Sequence, residues 1–360
     1  MDIIDIFLKG IQNDNSAGNL HSKMQKLNIL LFYSFAFLFS KKNRPSYPVV
    51  AFINGKRSYE KILPKKQDIF YVYHGTFFKK LYNIRQYSSA FSIMGYKDRI
   101  SMIFSILKQY FENRSRIGSI VLWMEFSLIY NLIVKYQPSI IITPGFADRQ
   151  TTWIAYICSD NKKKLEIYQH GIIFNEELPN KIPCSKIYAY DQFQVDLFKK
   201  YMIANSDCEY EITGFKSVLH FTDYDKEGKV IVGIATQINQ QVIYEIIEKL
   251  LEIRNDFLII IMVHPSEQIS NYDKYRGNSR IIVEPQRRYI NLDLLITQNS
   301  TIAYDYLNSD FKGKIFRIDS SGYICVLDSI EEIVHIKNHD DITEIIGNYI
   351  SSIGDEKKNA

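Results

Sequence analysis

The alternation of short apolar runs with helical patterns constrains this chain most. β-branched or aromatic runs at residues 48–53, 68–73, 139–143, 165–168 and 185–190 alternate with helical spacing at 119–136, 151–159 and 192–201. A second series has strands predicted at 230–234, 257–263, 280–283 and 292–297, with helices over 239–254 and from Thr301 to Asn308. Such alternation builds a mainly parallel sheet covered by helices on both faces. Between the two series lies an uninterrupted polar run, TDYDKEG, at 222–228. The sequence therefore predicts an α/β chain of two doubly wound, Rossmann-like domains, 1–221 and 229–360, joined by a linker at 222–228. The length of 360 residues agrees, being about twice a typical domain. Only 354–360 read as a loose tail.

In open parallel sheets, ligands bind beyond the carboxyl ends of the strands. Five predicted strand ends carry polar residues. They are His74-Gly75, the segment from Gly145 to Asp148, His170-Gly171, His264-Pro265, and Gln298-Asn299-Ser300-Thr301. Their distribution over both halves predicts two domains facing across a functional cleft.

Charge narrows the partners. Residues 1–120 hold 19 Lys and Arg against 7 Asp and Glu, or +12, and the remaining 240 hold 25 against 33, or −8. A basic first third suits an anionic membrane surface or an acidic acceptor. No nucleic-acid motif accompanies it, so nucleic acid is not expected. The uncharged stretch from Leu27 to Ser40, flanked by Lys23, Lys26, Lys41, Lys42 and Arg44, is too short for a spanning helix, which needs about 20 residues. It reads either as a buried element or as an interfacial segment on anionic lipid. The segment 97–116 has apolar residues at helical spacing between basic ends and reads as a helix covering a sheet. Cysteines 158, 184, 208 and 325 have no short spacing, which argues against a disulfide framework or zinc knuckle and suits a cytoplasmic protein.

Several chemistries lose their sequence support. There is no GxGxxG, no GxxxxGK[ST] and no GxSxG. Asp223-Tyr224-Asp225 matches a short metal-binding pattern but falls in the expected linker, and His335 with His339 reads as a solvated helix face. No metal and no cofactor are expected.

Three segments carry a resemblance to a known family. IYQHGI at 167–172 is followed by KIYAYDQFQVDLFKKY and EITGF; MVHPSE spans 262–267; DLLITQNSTIAYDYL spans 293–307. Together they resemble the GT-B glycosyltransferases, in particular bacterial sialyltransferases, polysialyltransferases and Kdo or polyol-phosphate transferases with a His-Pro motif. The resemblance covers about residues 140–310 and implies an inverting, metal-independent glycosyltransferase of cell-surface polysaccharide synthesis (capsule, lipooligosaccharide or O-antigen). Its donor would be a nucleotide sugar, with a CMP-activated acidic sugar favoured. His264 would stabilise the departing phosphate. Pro265, Asn299, Ser300 and Thr301 would hold the nucleotide, with Asp305 on the ribose.

The acceptor's proton needs a base on the other domain. Sialyltransferases place an acidic residue where this chain has Gln169-His170-Gly171, so His170 is the first candidate here and Asp148 the second. His74, in YHGTFFKK, resembles the His-Gly-Thr segment of teichoic-acid glycerophosphotransferases. With Lys79 and Lys80 it is the candidate acceptor contact, for a glycan or lipid-linked acceptor at the inner face of the cytoplasmic membrane. The open alternatives are a UDP-sugar or CDP-polyol transferase, a nucleotide-sugar epimerase, and a non-catalytic protein that binds anionic glycan or membrane.

Overall fold

A computed structural model describes residues 3–13, 48–53, 69–73, 87–89, 97, 100, 104, 117–145, 148–169, 171, 173, 175–214, 221–224, 229–236, 240–253, 257–264, 267–285, 289–298, 300–319, 327, 330–337 and 341–358. The chain divides into two compact units, Met1–His170 with Glu177–Thr213, and Gly171–Glu176 with Gly214–Ala360. The boundary at 213/214 precedes the expected 221/222. Thr222, the expected first linker residue, forms a short strand with Phe221, and Asp223 Oδ1 accepts a hydrogen bond from Asn291 Nδ2 at 2.8 Å, tying this segment to the second unit.

The first unit holds strands β1 (Val49–Ile53), β2 (Ile69–Tyr73), β3 (Tyr87–Ser89), β4 (Ile140–Thr143), β5 (Lys164–Tyr168), β6 (Lys186–Ala189) and β7 (Glu209–Ile212). All pair parallel, in the order β3-β2-β1-β4-β5-β6-β7. Central strands of such a sheet are buried on both faces, which is why they read as unbroken apolar runs. Val50, Ala51, Ile141, Ile142 and Ile167 are all buried. The helices are α1 (Ile3–Asn13), α2 (Ile117–Tyr136), α3 (Arg149–Asp160) and α4 (Gln192–Leu197), the last running into a π-helical turn at Phe198–Met202. α1 lies against α3, where Gly10 is required: a Cβ there would collide with the Trp153 indole.

In the second unit β8 (Phe221–Thr222) pairs with β12 (Tyr289–Ile290). The main sheet comprises β9 (Val230–Ala235), β10 (Phe257–Val263), β11 (Ile281–Pro285), β13 (Leu294–Thr297), β14 (Lys314–Ile318) and β15 (Ile333–Ile336). It is again parallel, in the order β11-β10-β9-β13-β14-β15. Helices α5 (Gln240–Glu252), α6 (Ile302–Leu307) and α7 (Ile342–Lys358) and a 3₁₀ segment at Ile269–Tyr275 complete it. One core is built from Val232, Ile234, Ile259 and Ile261 on the sheet with Ile243, Ile246, Leu250 and Ile346 on α5 and α7. The α5 positions recur every three or four residues, so they share one helix face.

Both sheets have the same internal sequence, third-second-first-fourth-fifth-sixth strand, which is the dinucleotide-fold order. Two expectations are corrected. The end of the chain is helix α7 as far as Lys358: the helix anchored by buried Ile342, Ile346 and Ile350 runs on through 354–358, which the sequence reads as a loose tail. His335 sits on strand β15, not on a helix face, and His339 lies outside the described residues. The stretch at 27–40 and almost all of 97–116 also lie outside them; of the latter, Phe104 is exposed. Among the described residues, no helix is long and apolar enough to cross a membrane. Cys158, Cys184 and Cys208 are buried free thiols.

Candidate functional site

In the second unit the strand order reverses between β9 and β13, and the crevice beyond their carboxyl ends is where such sheets bind ligands. Thr236 follows β9, His264 follows β10, and Gln298, Ser300 and Thr301 follow β13. The last register pair of β9 and β13 is Ile234 with Ile296, so Thr236 and Gln298 stand two residues beyond it on each strand. Both are buried. The Gln298 Nε2 is buried and has no hydrogen-bond partner among the described residues.

His264 is partly buried. Burial lowers its pKa below the usual 6.5, opposed by the smaller effect of the Glu267 charge. The imidazole is therefore neutral at pH 7 and donates through a single ring N–H. Ser300 is buried, receives Ile302 N–H on its hydroxyl at 3.4 Å, and donates its own N–H to Thr297 Oγ1 at 3.1 Å. Thr301 stands at the start of α6 in helical conformation, φ −60° and ψ −17°, and its side chain makes no capping bond. The capping of α6 thus falls to Ser300, and the Thr301 hydroxyl is not used for it. Asp305 is buried, and its Oδ2 accepts from Tyr289 OH at 2.9 Å, so one carboxylate oxygen is committed to β12. Pro265 and Asn299 lie outside the described residues.

Arg317, on β14, is 1% exposed. Its Nε donates to the Gln298 carbonyl at 3.0 Å, and Nη1 pairs with Asp319 at 3.2 Å. A buried guanidinium thus holds the backbone at Gln298. Gln298 belongs to a strand end that the sequence marks and Glu267 closes the MVHPSE segment, but nothing in the sequence analysis singles out Thr236 or Arg317. The signals were present: Thr236 is the first polar residue after VIVGIA, and Arg317 is the one charge inside the hydrophobic run IFRI.

In the first unit, Asp148 is the N-cap of α3, with Oδ1 accepting from Thr151 N at 2.7 Å. A Cβ at Gly145 would strike the Asp148 carboxylate, so only glycine lets the loop fold over it. Arg149 donates through Nε and Nη2 to Glu125 Oε2, each at 3.0 Å. Asp148 is thus occupied in starting a helix. Asp148→Ala should cost about 1 kcal/mol in urea unfolding, while Asp148→Asn, which caps equally well, should cost only a few tenths.

Gln169 follows β5, at the strand end that the sequence resemblance singles out. It is 1% exposed, its Oε1 accepts from Tyr190 N at 2.9 Å, and its Nε2 donates to Gln194 Oε1 at 2.6 Å. Both ends of the amide join β5 to the residues after β6. His170, His74, Lys79 and Lys80 lie outside the described residues. Gly171 has φ +94°, a conformation that favours glycine, and a Cβ there would lie 4.0 Å from Thr301 Cγ2. Glu176 is exposed, and Glu177 pairs with Lys181 at 3.1 Å, as solvated residues would. Among the described residues, no group of three or more His, Cys, Asp or Glu could hold a metal, and Asp225 lies outside them.

The sequence matches no protein-family model and no curated protein. Solved structures do match. The S. aureus MnaA–UDP co-structure superposes with a TM-score of 0.51 at 10% identity, over 85% of this chain and 89% of that one. A putative UDP-N-acetylglucosamine 2-epimerase from Listeria monocytogenes gives 0.49 at 11% identity, over 87% and 91%. MurG of Acinetobacter baumannii gives 0.44 at 7%, over 86% and 94%. At these identities the likeness is one of fold. With two parallel sheets in dinucleotide-fold order, the chain has the GT-B fold of two Rossmann-like domains.

Proposed function

We propose that the chain is an inverting glycosyltransferase that works without a metal, transferring a sugar from a nucleotide donor to a glycan or lipid-linked acceptor at the cytosolic face of the membrane. The observation that carries this reading is the polar group at the switch point of the second sheet, where Thr236, His264, Gln298, Ser300 and Thr301 gather at the ends of apolar strands. His264 donates to the nucleotide phosphate as the sugar–phosphate bond breaks and the nucleotide leaves with the electron pair. Thr301, with no capping bond to make, and Asn299 contact the same phosphate. The acceptor oxygen attacks the anomeric carbon and its proton passes to a base.

His170 is the better candidate for that base. Asp148 caps a helix and Gln169 has no titratable group, so His170 is the residue of its strand end that can take a proton near neutral pH. His74, Lys79 and Lys80 are assigned to an anionic acceptor.

The donor nucleotide has two readings. The His-Pro resemblance favours a CMP-activated acidic sugar, and the fold match to a UDP complex favours a UDP-sugar. Thermal unfolding with CMP, CDP, UDP and GDP separates them, because a ligand at about 100 times its Kd adds about 2.7 kcal/mol to the native state. Stabilisation by CMP alone is the result expected for the acidic-sugar donor, and by UDP alone for the other. If no nucleotide raises the midpoint, the transferase reading is wrong and a glycan- or membrane-binding protein replaces it.

A further inference from the structure

His264 ends an apolar strand, and a residue in that place keeps a fixed direction only if its backbone is tied. Both of its backbone groups are. Its N–H donates to Thr236 Oγ1 at 2.8 Å, and its carbonyl accepts from Glu267 N at 2.9 Å. The Thr236 hydroxyl in turn donates to Glu267 Oε2 at 2.8 Å, and Tyr272 OH donates to the same oxygen at 2.9 Å. Thr236 and Tyr272 are fully buried, where such bonds are stronger than at a surface.

We propose that Glu267, acting through Thr236, is a positioning residue for His264: it fixes the turn that carries the imidazole and sets a carboxylate charge beside it. The proposal rests on His264 being the donor to a nucleotide phosphate. A neutral amide oxygen could stand in the same place, accepting from Thr236 and Tyr272 more weakly than a carboxylate does, so replacing the acid by its amide separates the charge from the turn geometry. Moreover, both donors share Oε2, and Oε1 is buried without a hydrogen-bond partner. Leaving a buried acceptor so is costly. The charge of the carboxylate opposes the effect of burial on the His264 ring. Among the described residues Glu267 is a charged group that acts on the imidazole; Tyr272 faces its carboxylate from the 3₁₀ segment and Thr236 from the end of β9.

The ring can be followed directly. The protein has 7 histidines, and the His264 proton signal is identified by its loss in His264→Ala. Glu267→Gln keeps an oxygen to accept from Thr236 and Tyr272 but removes the charge. An imidazolium loses its stabilising partner, so the His264 titration midpoint should move to lower pH. With CMP and UDP as probes, Thr236→Val should weaken binding of the nucleotide that the native chain takes by about threefold to tenfold, the worth of one hydrogen bond, and Thr236→Ser should restore it. An unmoved midpoint in Glu267→Gln, or Thr236→Val binding as tightly as the native chain, overturns the positioning role. If the native chain binds neither nucleotide and the midpoint still moves, the Glu267–His264 pairing stands and the nucleotide reading falls.

Discussion

His264→Ala should lower sugar transfer by about 10²-fold or more while the chain keeps its fold. The first half follows from charge: a preorganised donor aimed at the phosphate that departs with an electron pair is worth about 10²–10³ in rate. The second half follows from where His264 is tied. Its bonds to Thr236 and Glu267 use its backbone N–H and carbonyl, which alanine retains. The strand behind it, with Ile259, Ile261 and Val263 buried in the core, is untouched.

Acidity gives an independent check on the same residue. Burial holds the His264 pKa below the unfolded value of about 6.5. Above pH 6.5 both states are neutral there and the group contributes no pH dependence. As pH falls from 6.5 through the lower folded value, the unfolded chain takes up a proton that the folded chain resists, and the native state loses stability. His264→Ala should therefore show a shallower loss of stability on the acid side than the native chain, read by urea unfolding at a series of pH values. A variant with near-normal turnover would remove His264 from the phosphate site.

How much of this was legible from the residues depends on how the information is stored. The strand Phe257–Val263 coincides with the prediction to the residue, because FLIIIMV is bounded by Asp256 and His264. β14 and β15 were not legible as strands: Lys314 and Arg317 interrupt one and His335 the other, and what makes them strands is pairing with β13 and with each other. β8 and β12 are two residues each, and only their mutual register makes them strands. α1 carries a helical signal in Ile3, Phe7, Gly10 and Ile11, but what fixes it is Trp153, more than a hundred residues away. The site divides in the same manner. His264, Ser300 and Thr301 could be found because strand ends are local features. Glu267 and Thr236 meet across 31 positions of sequence, and Arg317 reaches the Gln298 carbonyl across 19, so their roles exist only once the sheet is assembled.

Trp153→Ala should be the most damaging core substitution in the first unit, at about 3–5 kcal/mol. Trp153 is fully buried in α3. Its ring stacks on Phe7 at 5.7 Å between centroids and meets Phe126 edge-on at 5.4 Å, so one side chain joins α1, α2 and α3. Its Nε1 donates to the Phe7 carbonyl at 3.0 Å, and the Gly10 backbone fits against the indole with no room for a Cβ. Alanine would remove the transfer energy of a large ring, leave a cavity at a three-helix junction, and free α1 from its main anchor. Trp153→Phe keeps most of the ring and loses the N–H, so it should cost distinctly less. Because a chain of two units need not unfold in one step, the decisive measurement is local: amide exchange in 3–13 and 149–160. Protection of α1 should collapse in Trp153→Ala and largely persist in Trp153→Phe. Equal protection in the two variants would mean that α1 is held by something other than this tryptophan.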